Sequence, residues 1–372
     1  MTSFGILSTY PPTQCGLATF SSALAEHLEL AGDGTEVVSV VDAYRPGGPA
    51  NVRYQWVRER PEQVAEVAAV LDAADVVVVQ HEFGIFGGRD GRDVLEVVRR
   101  LRAPFLVVLH TVLVAPSEEQ RAIVEELAAR AYAIVTMSRA ARDRLLRSVD
   151  VDPTRVHVVP HGAAPGLAGP TTVPSDGAFR LLTWGLIGPG KGIEWAIDAL
   201  AECRDLDLEY DIVGLTHPKV AERTGERYRE GLMARAEALG VRDRVRFVGR
   251  YLEPRELHRI VRSTDAVLVP YESREQVTSG VLVEAVAARR PVISTDFPHA
   301  RELLAGQVGL VVPTRDPGAI SRAIRRLVTE PALTRAMSDR CAVVAPSLMW
   351  PAVTEQYRRI ASEAIARRSL AS

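Results

Sequence analysis

Gln276-Val-Thr-Ser-Gly-Val-Leu-Val-Glu-Ala285 lies between two apolar runs of strand length, Ala266-Val-Leu-Val-Pro270 before it and Pro291-Val-Ile-Ser-Thr295 after it. Runs this short and apolar read as strands buried on both faces, and residues 280–288 read as an apolar helix. A Thr-Ser-Gly turn at a helix start points backbone N–H groups and two hydroxyls outward, which makes an anion site. Glu284, one turn further in among Val281, Leu282, Val283 and Ala285, is a carboxylate in need of a partner. The residues alone fit a buried structural Glu and a Glu that binds sugar hydroxyls equally well.

The same alternation runs outward in both directions. Upstream, strand-length runs at 5–8, 36–41, 76–79, 105–109, 133–137 and 156–159 alternate with helical patterns over 17–30, 61–73, 89–101, 117–131 and 139–147. From residue 162 to 177 the pattern lapses into Ala, Gly and Pro, which reads as a linker. It then resumes, with strands at 181–184, 209–213, 245–248 and 309–312 and helices over 192–201, 224–239, 254–262, 317–329, 331–342 and 350–366. The expected fold is therefore α/β: two halves, each a parallel sheet covered by helices, with ligands bound beyond the carboxyl ends of the strands and a cleft between the domains.

Composition bounds the rest. A length of 372 residues allows two domains with full cores, and a net charge of −2 gives no footprint for nucleic acid. The cysteines, Cys15, Cys203 and Cys341, form neither a pair spacing nor a metal pattern, which suits a reducing compartment. No apolar stretch reaches membrane-span length and the N-terminus lacks a basic lead, so a cytoplasmic protein is expected. The basic segments 139–147 and 358–368 permit peripheral membrane association, but a solvated helix face is the simpler reading.

Each half carries a loop suited to phosphate. Tyr10-Pro-Pro-Thr-Gln-Cys-Gly-Leu-Ala-Thr-Phe20 has Gly16 at a helix start, and Gly185-Leu-Ile-Gly-Pro-Gly-Lys-Gly192 holds four glycines and Lys191. Neither has P-loop or dinucleotide spacing. Either alone is as well explained by a tight turn, and the pair in equivalent places points to a diphosphate. His81, His110, His161 and His217 follow apolar strands, with spacings that do not suggest zinc.

These features together resemble the family-4 (group 1) retaining glycosyltransferases of the GT-B fold, along the full length of the chain. The markers are Gly16, His110-Thr111, Pro160-His161-Gly162, Gly185 to Gly192 with Lys191, Gly249-Arg250-Tyr251 and the 276–284 stretch. Gln80-His-Glu-Phe-Gly-Ile-Phe-Gly-Gly88, with Tyr10-Pro-Pro and Cys15-Gly-Leu-Ala-Thr-Phe20, is similar to one bacterial branch of that group. The resemblance implies two Rossmann-like domains facing each other across a cleft. Residues 1–165 would form the acceptor side and 176–349 the nucleotide-sugar side, and 350–372 would be a helix crossing back to the first domain.

By the same resemblance, Gly16 and Gly190 would meet the donor diphosphate and His110 the donor sugar near its reacting carbon. Lys191 would neutralise the leaving group. Thr278, Ser279, Gly280 and Val281 would cradle phosphate and sugar, and Glu284 would bind the ribose. Arg250 and Tyr251 would lie by the nucleobase, and Gln80, His81 and Glu82 by the acceptor. Two positions depart from the family pattern. Gln276 stands where the first Glu of a paired-glutamate motif is usual, so it joins His110 and Lys191 as a catalytic candidate. Leu186 stands where an arginine is common, leaving Lys191 alone or aided by Arg274 or Arg301. The expected reaction is retaining transfer of a hexose-type sugar from a GDP- or UDP-linked donor to the hydroxyl of a sugar or small molecule, with no metal and no cofactor. The alternatives are a nucleotide-sugar epimerase or hydrolase of the same fold, with Glu82, Glu275 or His217 over the sugar, and a non-catalytic nucleotide-sugar-binding protein.

Overall fold

The computed structural model describes residues 1–168, 177–273 and 275–371. They form two compact units, one of Met1–Gly162 with Trp350–Ser372, the other of Ala163–Met349. The first holds strands β1 (Ser3–Ser8), β2 (Gly34–Val41), β3 (Val52–Val57), β4 (Val76–His81), β5 (Phe105–Leu109), β6 (Ala133–Thr136) and β7 (Val156–Val158). They pair in parallel in the order β3-β2-β1-β4-β5-β6-β7. The second holds β8 (Phe179–Trp184), β9 (Leu208–Val213), β10 (Val245–Val248), β11 (Ala266–Val269), β12 (Val292–Thr295) and β13 (Gly309–Val312). These too are parallel, in the order β10-β9-β8-β11-β12-β13.

Side-chain alternation explains why the strands are apolar throughout. Along β8, Leu181 joins one buried cluster with Tyr210, Ala266 and Ile293, while Leu182 joins another with Val213, Val267 and Val292. Successive residues serve opposite faces, so a sheet with helices on both sides needs apolar residues at both parities.

Several elements differ from the expected pattern. Strand β3 was not anticipated: Val52-Arg-Tyr-Gln-Trp-Val57 alternates in polarity because it lies at the sheet edge and buries little beyond Trp56. The helix expected over 224–239 runs from Arg227 to Ala238, and a separate helix that was not anticipated, Pro218–Thr224, ends before it at Gly225, whose φ is 61°. The pattern over 89–101 shortens to Val94–Val98, since Gly88, Asp90 and Gly91 all have positive φ. A short helix, Pro298–Leu303, was also missed, and Pro331–Leu348 runs past residue 342 with Pro346 inside it. Ser117 caps the helix Glu118–Arg130, accepting from Gln120 N while the Gln120 side chain accepts from Ser117 N, in a full capping box. Residues 169–176 of the expected linker lie outside the described residues. Its first part packs into the second unit, with Ala163 and Leu167 fully buried.

The helix Trp350–Ala371 belongs to the first unit. Its Trp350, Val353, Tyr357 and Ile360 share a core with Phe4, Phe20, Leu24 and Val78. Arg358 anchors it to buried Asp33 at 2.7 Å. Gly162 lies flat against the Trp350 indole: a Cβ there would stand 2.1 Å from the ring. Gly162→Ala should therefore cost about 1–3 kcal/mol by overpacking. Adding Trp350→Leu should recover part of that loss, as read by chemical denaturation of the single and double variants.

Candidate active site

In each sheet the strand order reverses once, between β1 and β4 in the first unit and between β8 and β11 in the second. Connections leave such a pair in opposite directions, so the carboxyl ends of those strands stay uncovered and become the ligand position of an open α/β sheet. Most of the expected site residues lie there.

In the first unit, β1 leads to the helix Gly16–Leu30, whose cap Cys15 accepts from Ala18 N through Sγ at 3.4 Å. A Cβ on Gly16 would meet nothing within 4 Å, so packing does not dictate the glycine. Gln80 and His81 end β4, and His110 follows β5, its N–H extending the ladder to His81 O at 3.1 Å. The His110 ring meets Gln80 through Nε2···Oε1 at 2.6 Å and takes the edge of Phe20, with centroids 4.9 Å apart. His161 packs on the same Phe20 and bonds Gly162 O at 2.8 Å.

The three histidines are held neutral. Burial lowers His110 well below the ordinary imidazole value, helped by His161 and His81; burial alone brings His81 to about 4, and His161, despite its bond to Gly162, also falls to about 4. The expected acceptor contacts need correction for two residues. Gln80 and His81 are fully buried, His81 between Phe83 and Phe86, so neither presents a side chain at the surface. Glu82 is only half-buried and accepts from Thr111 Oγ1 at 2.5 Å.

In the second unit, β8 ends at Trp184 and runs into the glycine loop, while β11 leads through Tyr271 to the helix Gly280–Ala287. The two segments are close: a Cβ on Gly185 would lie 3.8 Å from Val281, and Gly190 O accepts from Glu272 N at 2.9 Å. Gly192 has φ of 65°, and a Cβ there would strike Pro270 O at 1.9 Å, so only glycine lets the loop turn into its helix. Lys191 Nζ sits 4.1 Å above the Tyr271 ring, which is itself stacked on Phe297. At the helix start, Ser279 Oγ accepts from Leu282 N and Ser279 N donates to His299 Nδ1 at 3.0 Å. Among the described residues, no acceptor takes the amides of Gly280 and Val281, and the buried Thr278 hydroxyl has no hydrogen-bond partner. Gln276 turns back on the loop, donating to Thr278 O at 2.8 Å.

Glu284 accepts from Trp184 Nε1 at 3.2 Å, and burial pushes its carboxyl up to about 7 against the effect of that bond. Arg250 follows β10, with its guanidinium paired to Glu256 at 2.8 Å, and Tyr251 beside it is about half exposed. Of the cations proposed to assist Lys191, Arg301 is tied to Asp296 at 2.6 Å and Arg274 lies outside the described residues. His217 caps the helix Pro218–Thr224, accepting from Lys219 N. Sequence reasoning missed Tyr271, Trp184 and Phe20. The first two are aromatic residues at strand ends, which was the available signal.

The chain superposes on solved structures over nearly its full length. A glycosyltransferase from Rickettsia africae matches with a TM-score of 0.77 at 14% identity, covering 98% of this chain and 99% of that one. Anabaena HepE in complex with UDP-glucose matches with a TM-score of 0.76 at 18% identity, covering 98% and 100%. The fold is GT-B. A family profile described as Glycosyltransferase Family 4 matches residues 16–165, and one described as Glycosyl transferases group 1 matches residues 178–330. The protein belongs to the group 1, family-4 glycosyltransferases.

Curated relatives include a D-inositol 3-phosphate glycosyltransferase from Corynebacterium glutamicum, 27% identical over 68% of this chain and 62% of its own length. An alpha-D-kanosaminyltransferase from Streptomyces kanamyceticus is 25% identical over 57% and 55%. A phosphatidyl-myo-inositol mannosyltransferase from Mycobacterium leprae is 30% identical over 56% and 52%. The matched region thus spans less than two thirds of these relatives.

The raised carboxyl of Glu284 has a stability consequence. The folded state keeps its proton to higher pH than the unfolded chain, so the group's contribution is full below the unfolded value and is lost as pH rises through about 7. Denaturation of the unliganded protein across pH 4.5–8 should show this loss, and Glu284→Gln should flatten that part of the profile.

Proposed function

We propose that the protein is a retaining, metal-independent glycosyltransferase moving a hexose from a nucleoside diphosphate sugar, GDP- or UDP-linked, to an acceptor hydroxyl. One observation carries the reading. The amides of Gly280 and Val281, which no described acceptor takes, open a helix beside a glycine loop whose lysine is held over Tyr271. Helix-start amides and an ammonium suit a diphosphate.

In this reading the bond from the anomeric carbon to the diphosphate oxygen breaks as the acceptor oxygen bonds to the same face of the sugar. The acceptor proton passes to the leaving phosphate oxygen. Lys191, Gly280 and Val281 take up the charge that develops on the diphosphate, so no metal is required. Glu284, held by Trp184, accepts from ribose hydroxyls, and the backbone around Arg250 and Tyr251 meets the base. His110, a neutral imidazole, touches the donor sugar near the reacting carbon. Gln276 offers the sugar an amide carbonyl, its N–H being engaged at Thr278. The name of the D-inositol 3-phosphate glycosyltransferase relative supports a small polyhydroxylated acceptor, and the HepE complexes support a uridine nucleotide as first probe. In this reading the enzyme works in the cytoplasm.

A thermal-shift and calorimetric panel of UDP, GDP, ADP and TDP with their sugar conjugates tests this. One base should stabilise the protein. Lys191→Ala should weaken that nucleotide about 10- to 100-fold, the worth of a charge-assisted contact. Glu284→Ala should weaken the nucleoside as well. Binding to none of the four nucleotides, or binding untouched by both substitutions, overturns the assignment. Sugar release from donor alone at the full rate would make the protein a hydrolase.

A further inference from the structure

We propose that Gln80 is a positioning residue for the reaction: its amide oxygen holds Nε2–H of His110, so that the ring offers the Nδ1 lone pair to a donor-sugar hydroxyl. The inference rests on the role given to His110 in the transferase reading and deepens it. The geometry comes from the sheet. Strands β4 and β5 pair with Gln80 opposite Val108 and His81 opposite Leu109. Gln80 follows Val76 and Val78, and His110 follows Leu106 and Val108, on the face that packs against Phe20. Two side chains on one face of adjacent strands meet at 2.6 Å, and the Phe20 ring packs at 88° to the imidazole with centroids 4.9 Å apart.

A neutral imidazole has one N–H and one lone pair, and the partner of one nitrogen decides the state of the other. The titratable groups facing the ring are His81 from β4 and His161 after β7, and both disfavour a charge on it. Glu82, also beyond β4, is engaged by the Thr111 hydroxyl, and His27, from the helix carrying Phe20, stacks on Trp350. The neighbour that bonds His110 is therefore an uncharged amide. This fully buried glutamine carries a cost: its Nε2 has no hydrogen-bond partner among the described residues. A leucine would avoid that penalty, so stability alone gives no reason for the residue.

The test uses the intact protein, selectively labelled with 15N-histidine, with Gln80→Leu and Gln80→Glu variants. Nitrogen shifts of the unliganded wild type should report the Nε2–H form of His110, and Gln80→Leu should lose that single form. With UDP-glucose and GDP-mannose as donor probes, Gln80→Leu should lower kcat about 100-fold, the scale of a misplaced reacting group. UDP and GDP affinities should stay within about twofold, since neither Gln80 nor His110 is assigned a contact with the nucleotide.

Gln80→Glu supplies a readout that a structural role would not move. A carboxylate against Nε2 favours the imidazolium, so turnover should fall as pH drops through the neutral range while the wild type stays level. An Nδ1–H ring, an unchanged tautomer in Gln80→Leu, or a level pH profile in Gln80→Glu overturns the proposal. If the wild type turns over neither donor, the transferase reading fails, and the nitrogen shifts still decide whether Gln80 sets the tautomer.

Discussion

The pairing of β8 with β11, and of β1 with β4, is the constraint on which everything functional rests. A parallel strand cannot turn directly into its neighbour, so each connection must cross a face of the sheet. Where strand order reverses, neighbouring connections cross opposite faces and leave strand ends and helix starts bare. In the second unit this junction is locked by a buried chain of hydroxyls. Tyr210 donates to Thr183 at 2.7 Å, and Thr183 donates to Leu268 O on β11 at 2.5 Å. A chain of this kind, satisfied at each link, fixes relative strand position in a way that apolar contact alone does not.

The two units solve different electrostatic problems at equivalent places. The first gathers imidazoles under aromatic rings and keeps them uncharged by burial. The second combines a helix start, a lysine pinned to an aromatic face and a carboxyl that burial keeps readily protonated. An uncharged surface can meet hydroxyls without drawing water or ions into the site. A positive one suits a polyanion.

The architecture was legible because buried parallel strands leave an unambiguous trace: runs such as Val76 to Val79 have no polar side to confuse them. What escaped obeyed weaker rules. Strand β3 at the sheet edge needs only Trp56 buried, and the ends of the 89–101 and 224–239 helices were decided by backbone angles at Gly88, Gly91 and Gly225. Residue types at the site were visible, but their contacts were not. Glu284 demanded a partner, and nothing in one dimension named Trp184, 100 positions away. The resemblance placed Gln80 and His81 by the acceptor, and nothing in the linear sequence marked their side chains as covered. Only the ladder to β5 and the aromatic cover from Phe83 and Phe86 show them to be interior.

The first unit is discontinuous in the chain, and that has a consequence for its birth on the ribosome. Synthesis delivers Met1 to Gly162 first, but the core around Phe4, Phe20 and Val78 is closed by Trp350, Val353 and Tyr357. The second unit, by contrast, has all its strands and helices once Met349 has emerged. The half translated first is thus the half completed last. Until then the apolar side chains that Trp350, Val353 and Tyr357 cover in the folded protein lack that cover, for as long as translation of the intervening unit takes.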